Sequence, residues 1–288
     1  MKFGCTGNID KPDFFKILKE INEFLISENQ TLVLDSQIIS RENSDLLANI
    51  QRDHIEDIAN DCDVLLSIGG DGTILSTIRR IGSRVIPVLG IHIGGLGFLA
   101  ECTQEDFVKG LKQIIRKNYK IIERMVLEVT IRQNKLKRYY GINDVVIDHG
   151  NTSRLLRTRI DVSEEYLNTY ESDGIIFSTP TGSTAYSLSA GGPIVFPTID
   201  VITITPICPH SLSARPIVIS SDDLITANFF EEQSSITVTV DGQVSIPVDY
   251  SCEIKIKKAN FTAKMIQLPD SLYFETLRQK MGWHGNVR

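Results

Sequence analysis

The sequence contains one segment whose residue types could handle a phosphate group, Gly69-Gly70-Asp71-Gly72-Thr73. Its three glycines let the backbone turn tightly and approach a ligand without Cβ clashes. Successive backbone N–H groups, with the start of the helix expected over residues 74–81, can bind phosphate oxygens. The Asp71 carboxylate would repel phosphate, which favours a role in accepting a proton from an attacking hydroxyl or in placing Mg²⁺. A glycine turn in which Asp71 caps the helix is the alternative, and the spacing alone leaves both open.

A second unusual segment is rich in hydroxyl groups. Residues 178–193 (STPTGSTAYSLSAGGP) carry eight hydroxyls in sixteen positions. We expect a turn followed by a short helix that ends at residue 189, with Ser183 or Thr184 as its cap. Tyr186 offers a ring on which a flat base can stack. The segment therefore suits a sugar and a purine ring, although a Ser/Thr-rich surface loop has the same composition.

Several polar pairs elsewhere allow either binding or a simple turn. Asn143 can donate and accept, so it can read a base edge, and Asp144 can accept from a ribose hydroxyl. Judged singly, Asn143-Asp144, Asp173-Gly174 and Asp241-Gly242-Gln243 are also typical of turns. Arg154 is most simply a solvated charge.

The elements that must position these residues change in type along the chain. Strand and helix patterns alternate over the first hundred residues, which predicts an α/β layer with a parallel sheet. The strands are expected at residues 2–6, 31–36, 64–68 and 85–91, and helices after Pro12 and over residues 46–60 and 74–81.

Beyond about residue 119 the helical periodicity fades and short β-rich runs follow one another, separated by turn residues. This pattern predicts a mostly antiparallel all-β domain. A short amphipathic helix is expected over residues 270–281. We therefore predict an α/β domain over residues 1–118, a β domain over 119–268 and a C-terminal segment over 269–288.

Composition limits the class of protein. The chain has 288 residues with 30 Lys and Arg against 36 Asp and Glu, so its net charge is −6. The length allows about two domains, and the acidic balance argues against bulk nucleic-acid binding. Five cysteines without a CxxC pair indicate reduced thiols in a cytoplasmic protein, and the histidines show no zinc-ligand spacing. We expect neither a secretory signal nor a membrane-spanning segment.

Taken together, the motifs resemble the NAD kinase family from roughly residue 64 to the C-terminus. The glycine motif is shared with diacylglycerol, sphingosine and phosphofructo-kinases, whereas the long Thr/Ser motif is highly specific. The segments in family order are Gly69–Thr73, residues 94–99 (GGLGFL), Asn143-Asp144, residues 179–193, residues 209–216 (PHSLSARP), Asp241-Gly242-Gln243 and Gly282-Trp283. The resemblance implies a Rossmann-like N-terminal α/β domain, a C-terminal β-sandwich, a C-terminal segment returning to the first domain, and homodimers or homotetramers.

The resemblance also implies an activity and a site. ATP would phosphorylate the 2′-hydroxyl on the adenosine ribose of NAD to give NADP, with Mg²⁺ or another divalent cation arriving with ATP. Asp71 would be the general base, and part of the pocket would serve a neighbouring subunit. The implied contacts are the phosphate loop Gly69, Gly70, Gly72 and Thr73; Phe98 near the adenine; Asn143 and Asp144 at adenine and ribose; Asp173 near the nicotinamide; Thr181, Thr184, Ala185, Tyr186, Ser187, Leu188 and Ser189 in the adenine and nicotinamide pocket; and Arg154 and Gln243 as further contacts.

The sequence departs from the family pattern at three of these places. Asp144 stands where many members have Glu, Glu171 where some bacterial members have Arg, and Arg154 where others have His. The departure at Glu171 leaves the preference between NAD and NADH open. Inorganic polyphosphate as donor, a kinase of another small alcohol or lipid, and a non-catalytic NAD(H)-binding regulator are the alternatives.

Overall fold

The chain folds into two compact units. The computed structural model describes residues 1–38, 50–95, 97–133, 135–150, 155–230 and 235–283. The first unit comprises Met1–Glu123 together with the chain from Lys264 onward, and the second comprises Arg124–Ala263. The domain boundaries at 118/119 and 268/269 stay a prediction.

The first unit is built on an eight-stranded sheet. Its strand order is β3-β2-β1-β4-β5-β20-β7, and β6 pairs with β5. The pairings of β1 to β6, and that of β20 with β5, are parallel. The strands are β1 (Lys2–Gly7), β2 (Thr31–Asp35), β3 (Gln51–Asp53), β4 (Val64–Gly69), β5 (Val88–His92), β6 (Cys102–Thr103), β7 (Lys120–Arg124) and β20 (Ala263–Gln267).

Helices accompany this sheet, as the alternating pattern predicts. The inner strands read as continuous apolar runs, which is typical of parallel strands buried on both faces. Every residue of β4 is buried, and α1 contributes a stripe of buried Phe, Ile and Leu side chains to the core. The helices are α1 (Phe14–Ser27), α2 (Ile55–Asp61), α3 (Asp71–Ile81), α4 (Phe107–Ile115) and α6 (Tyr273–Met281).

Three predicted helix boundaries were wrong, and one of them is the start of α6, which begins at Tyr273 and not at residue 270. Of the helix expected over residues 46–60, residues 46–49 lie outside the described residues, and Gln51–Asp53 forms β3. Parallel pairing with β2 overrides the local helical pattern there, and α2 begins at Ile55. The helix expected over residues 74–81 begins at Asp71, because Gly70 is its N-cap residue. Asp71 therefore lies in the first turn of α3.

The second unit is an antiparallel β-sandwich. Its sheets have the orders β15-β14-β13-β10-β17-β18 and β12-β11-β16-β19-β8-β9, and apolar side chains from both sheets form one core. One 3₁₀ turn (Thr181–Thr184) and the short helix α5 (Tyr186–Ser189) follow β13. The strands are β8 (Leu127–Arg132), β9 (Leu136–Gly141), β10 (Asp144–Asp148), β11 (Leu156–Val162), β12 (Glu165–Ser172), β13 (Gly174–Ser178), β14 (Val201–Ile207), β15 (Ile217–Ser220), β16 (Ile225–Phe229), β17 (Ile236–Val240), β18 (Val244–Val248) and β19 (Glu253–Lys258).

The end of the chain returns to the first unit. Strand β20 lies between β5 and β7 in the eight-stranded sheet, and Met265 pairs with Val88. The expected fold class, an α/β layer plus a β-sandwich with a returning C-terminal segment, is confirmed. Each helix in the described part of the chain is too short or too polar to cross a membrane.

Candidate active site

The glycine loop lies at the carboxyl end of β4, where the chain turns directly into α3. A Cβ atom at Gly69 would lie 2.3 Å from the Thr73 Oγ1, so the close approach of Thr73 requires glycine there. Gly70 is half-buried and Gly72 is exposed. The loop thus precedes the N-terminus of an 11-residue helix, where backbone N–H groups and the helix dipole favour an anion.

Two backbone N–H groups hold the Asp71 carboxylate. Its Oδ2 accepts from the N–H of Phe98 at 2.8 Å, and its Oδ1 accepts from the N–H of Leu99 at 3.2 Å. No side-chain capping bond is present at the start of α3, so the alternative in which Asp71 caps this helix was wrong. The carboxylate is instead fixed and half-buried beside the glycine loop.

The second glycine segment makes room for this carboxylate. A Cβ atom at Gly97 would lie 1.9 Å from the Asp71 Oδ1, far inside contact distance. Glycine at position 97 therefore permits the bonds to the next two residues, Phe98 and Leu99. Leu96, between these glycines, lies outside the described residues. The sequence shows both glycine segments, but it does not show that Gly97 lies against the Asp71 carboxylate.

His92 is a neighbour of the loop that sequence reasoning left out of the site. It ends β5, pairs with Gly69, and its Nε2 lies 3.5 Å from the position of a Cβ at Gly70. Its Nδ1 is buried and makes no hydrogen bond within the described residues. His92 lies at the carboxyl end of the strand next to β4, and this position could have identified it as a candidate site residue.

In the second unit, Asn143 and Asp144 lie at the start of β10 and contact the hydroxyl-rich segment. Thr179 donates its side-chain hydroxyl to the Ile142 carbonyl at 2.6 Å and its N–H to the Asn143 carbonyl at 2.9 Å. A Cβ at Gly182 would lie 2.0 Å from the Asn143 carbonyl oxygen. The two predicted binding segments are thus packed backbone to backbone, and Gly182 allows that approach.

The electrostatics around Asp144 are unusual. Asp144 is 4% exposed, and burial, followed by the nearby charge of Asp241, raises its pKa to about 7. Burial also raises the pKa of the Tyr186 hydroxyl, with smaller contributions from Asp148, Cys208, Asp144 and Asp173. Tyr186 and this group of acidic side chains therefore share one environment within the second unit.

The hydroxyl-rich segment forms the expected turn and short helix, with a different use of its hydroxyls. The Ser183 hydroxyl donates to the Pro180 carbonyl at 2.6 Å and accepts from the N–H of Val195 at 3.0 Å. The Gly182 N–H at the start of the 3₁₀ turn donates to the Thr179 hydroxyl at 3.0 Å. The N-cap residues Pro180 and Ala185 make no side-chain capping bond, so the prediction that Ser183 or Thr184 caps the helix was wrong. Tyr186 is 47% exposed, which leaves ring surface for stacking.

The other predicted contact residues differ in burial and in their hydrogen-bond partners. The Ser187 hydroxyl is buried at 3.0 Å from the Thr205 hydroxyl. The Asp173 carboxylate lies 3.8 Å from the His149 Nε2, and Gln243 is exposed in the turn after β17. Thr181, Thr184, Ala185 and Leu188 are half-buried, and Ser189 is exposed. Arg154 lies outside the described residues.

The structure therefore brings the predicted residues together in two sets. The first unit holds Gly69, Gly70, Asp71, Gly72, Thr73 and Phe98, and the second holds Asn143, Asp144, Asp173, Gln243 and the contacts in the segment from Thr181 to Ser189. Sequence reasoning gave Asp241 no role beyond a turn or a family position. Its carboxylate accepts hydrogen bonds from the backbone of Ile142, Asn143 and Asp144.

Comparison with known proteins places both units in one family. The model of the ATP-NAD kinase N-terminal domain matches residues 6–119, and that of the ATP-NAD kinase C-terminal domain matches residues 142–268. The NAD kinase of Geotalea daltonii is 36% identical over 284 residues, with 98% of each chain covered. The NAD kinase of Caldanaerobacter subterraneus subsp. tengcongensis is 39% identical over 285 residues, covering 97% of this chain and 98% of that protein.

Solved structures agree with these matches. A yeast NADH kinase complexed with NADH superposes with a TM-score of 0.88 at 28% identity, covering 100% of this chain and 89% of that one. An NAD kinase from Archaeoglobus fulgidus in complex with ATP gives a TM-score of 0.76 at 26% identity, covering 99% of this chain and 100% of that one. These matches favour an NAD kinase over a lipid kinase or a non-catalytic regulator. The chain therefore belongs to the NAD kinase family of enzymes.

Proposed function

We propose that this NAD kinase transfers the γ-phosphoryl group of ATP to the 2′-hydroxyl on the adenosine ribose of NAD, with Asp71 as the general base. The observation that carries the proposal is the fixed Asp71 carboxylate, held by the N–H groups of Phe98 and Leu99 next to the glycine loop. A base held in one geometry needs no reorganisation when the hydroxyl proton leaves.

The chemical step follows from the weakness of an alcohol as a nucleophile. The 2′-hydroxyl gives its proton to an Asp71 oxygen while its own oxygen forms a bond to the γ-phosphorus. The bond from that phosphorus to the bridging oxygen breaks, and ADP leaves with the electron pair. A positioned carboxylate base contributes typically about 10²–10⁴-fold to such a step.

We assign phosphate binding to the glycine loop, through Gly69, Gly70, Gly72 and Thr73 at the start of α3. The divalent cation is proposed to arrive with ATP, held mainly by phosphate oxygens, and when bound it neutralises phosphate charge.

NAD recognition is assigned to residues of the second unit and to Phe98. Asn143 would read the adenine, Asp144 would accept from ribose hydroxyls, and Asp173 would lie near the nicotinamide. The exposed ring of Tyr186 and the packed backbone of residues 142–144 and 179–182 support these roles. The remaining proposed contacts are Thr181, Thr184, Ala185, Ser187, Leu188, Ser189, Gln243 and Arg154.

The finer features of the protein are proposals as well. ATP is the donor that we favour, because the Archaeoglobus fulgidus relative was solved with ATP, and polyphosphate is the second donor to test. NAD is the acceptor that we favour, and NADH is the second one to test, because the yeast relative was solved with NADH. We further propose a cytoplasmic homodimer or homotetramer that binds no nucleic acid, with domain boundaries near residues 118 and 268.

The test is NADP formation from NAD and MgATP, reported by an NADP-specific dehydrogenase, for wild type and Asp71→Asn. We expect wild type to make NADP and the variant to lose about 10²–10⁴-fold in kcat with NAD affinity retained. Asp106→Asn is the matched control. Its carboxylate also accepts a backbone N–H, from Thr103 at 2.6 Å, directly before helix α4.

Two outcomes would count against the proposal. Equal loss of NAD binding and turnover in Asp71→Asn would indicate a structural role for that carboxylate. NAD binding by wild type without product from ATP, from polyphosphate or with NADH as acceptor would indicate a non-catalytic protein.

A further inference from the structure

Asp241 is a buried carboxylate that binds the backbone of the Asn143–Asp144 segment. It is 8% exposed. Its Oδ1 accepts from the N–H groups of Ile142 at 2.9 Å, Asn143 at 2.8 Å and Asp144 at 3.2 Å. Its Oδ2 lies 3.2 Å from the same Ile142 nitrogen. Three consecutive backbone donors thus converge on one carboxylate, which stabilises them in a single geometry.

The backbone of Asp241 is also adapted to this task. Asp241 and Gly242 have φ values of 50° and 65°, and the Gln243 N–H donates to the Val240 carbonyl at 3.0 Å. This is a type I′ turn between β17 and β18, in which Asp is one of the few side chains tolerated at positive φ. The Asp241 N–H donates to the Asp144 carbonyl at 3.0 Å, which adds a fourth bond to the same segment.

The segment is held on both sides. Asp241 binds its N–H groups, and Thr179 binds the carbonyls of Ile142 and Asn143. Neither Asp241 nor Thr179 needs to touch a ligand for the directions of the Asn143 and Asp144 side chains to be set.

We propose that Asp241 is a positioning residue for NAD, acting through the backbone of residues 142–144 and through its charge next to Asp144. The proposal rests on the proposed function, in which Asn143 and Asp144 bind the adenine and the ribose. Asp241 sets where the two side chains lie and in which protonation state Asp144 meets the ribose hydroxyls.

The negative charge of Asp241 changes the pKa of Asp144 in one direction. Burial raises the pKa of Asp144 to about 7, and the Asp241 carboxylate adds to this rise. Asp148, Cys208, Asp144 and Asp173 all act electrostatically on the Tyr186 hydroxyl of α5, and no described cation forms an ion pair with Asp144. Ionised Asp144 accepts from ribose hydroxyls, so NAD affinity falls as the pH drops through about 7. Removing the Asp241 charge lowers the pKa of Asp144 and moves this fall to lower pH.

The experiment uses the full-length enzyme with Asp241→Asn. We expect the KM for NAD to rise about 10- to 100-fold. The Asn Oδ1 is a neutral and weaker acceptor for the three N–H groups, and its Nδ2 places a donor beside the Ile142 N–H, so the segment shifts. The KM for ATP should change less than about threefold. Calorimetric Kd values for NAD between pH 5.5 and 8.5 should show the midpoint moving to lower pH in the variant.

Asp249→Asn is the matched control. Asp249 follows β18 at the opposite end of the same hairpin, where its carboxylate accepts the Ser251 N–H at 2.9 Å. It lies roughly 17 Å from Asp241 by strand length, at about 3.3 Å per residue. This variant removes the same charge from the same hairpin, and its NAD affinity and pH midpoint should equal those of wild type.

Hydrogen exchange on the wild-type enzyme keeps the test valid if Asp241→Asn does not fold. The amides of Ile142, Asn143 and Asp144 should exchange slowly, and fast exchange would overturn the proposal. An unchanged KM for NAD and an unchanged pH midpoint in a folded variant would also overturn it. Wild-type NADP formation is measured first, so that failure of the proposed function is seen separately from failure of this inference.

Discussion

At the residue scale, the site depends on close approaches that only glycine allows. Gly97 admits the Asp71 carboxylate, Gly69 admits the Thr73 side chain, and Gly182 admits the Asn143 carbonyl. Each contact involves a residue that the family resemblance singles out for binding or catalysis. The glycines therefore act by shaping the positions of their neighbours, in addition to any contact of their own with phosphate.

Gly97→Ala should therefore inactivate the enzyme without touching the ligand. Its Cβ would lie 1.9 Å from the Asp71 Oδ1, so the carboxylate must move and the bonds to Phe98 and Leu99 must break. We expect kcat to fall about 100-fold or more. Gly95→Ala is the control, since a Cβ there meets nothing within 4 Å. If Gly97→Ala is as active as Gly95→Ala and wild type, the position of the Asp71 carboxylate is not critical.

The sequence predicts several residues of the site but not the contacts between them. Asp71, Asn143-Asp144 and the hydroxyl-rich segment can be identified from residue types and family order. The bonds from Asp241 to residues 142–144 cannot, because they join positions about 100 residues apart and depend on register between β10 and β17. An isolated Asp-Gly pair is typical of a turn, and Asp241 forms that turn as well.

At the element scale, helix α3 connects the candidate site to the core of the first unit. Near its end, Arg80 donates to the Asp35 Oδ2 at 2.6 Å, and the Thr6 hydroxyl donates to the same oxygen at 2.6 Å. Asp35 is 1% exposed. Burial raises the pKa of this carboxyl, but the bonds from Arg80, Thr6 and the Gln37 N–H, with the Arg80 charge, together outweigh burial and hold the pKa below its usual range. One network thus ties α3 to β1 and β2.

Arg80→Met should leave the Asp35 charge buried without its partner. We expect a loss of about 2–3 kcal/mol in the free energy of unfolding at pH 7, less than for a fully buried pair because Arg80 is partly exposed. A carboxyl group whose pKa is lower in the folded than in the unfolded state stabilises the fold at pH values above its unfolded-state pKa. This contribution is lost as the pH falls through the folded-state pKa. The difference between variant and wild type should therefore shrink below about pH 4.

Urea unfolding at pH 7 and at pH 3.5 measures this difference. Arg84→Met is the control, because the Arg84 guanidinium donates to the carbonyl of Ile81 in its own turn and to no carboxylate among the described residues. An equal loss of stability in both variants, or one that does not change with pH, would contradict the role of the Asp35 pair.

The elements themselves were predicted unevenly, for identifiable reasons. Inner strands such as β4 are continuous apolar runs, and their positions follow directly from the sequence. Strand β9 (LKRYYG) has mostly exposed or half-buried side chains, so its strand character comes from pairing with β8 and leaves little hydrophobic signal. The three-residue β3 is likewise defined by pairing with β2. Local pattern thus predicts a continuous apolar run such as β4 well and strands such as β3 and β9 poorly.

At the scale of the whole molecule, the chain divides its proposed chemistry between two units of different construction. The parallel sheet of the first unit ends in a glycine loop and helix N-terminus, which suit phosphate. The sandwich of the second unit offers exposed Tyr186 and a buried carboxyl, which suit a base and a ribose. The last segment of the chain adds β20 to the sheet of the first unit, so residues from both ends of the chain build that unit.

Ile266→Ala tests whether the returning strand β20 stabilises the first unit. Ile266 is fully buried in the core of that unit, between side chains of the N-terminal elements. Truncation should cost about 2–5 kcal/mol, the usual range for a large aliphatic core residue. The single tryptophan, Trp283, lies in the first unit, so its fluorescence during urea unfolding reports on that unit. Lys264→Ala, at a half-buried position of the same strand, should change the midpoint little. Equal midpoints for the two variants would show that the N-terminal core is stable without this side chain.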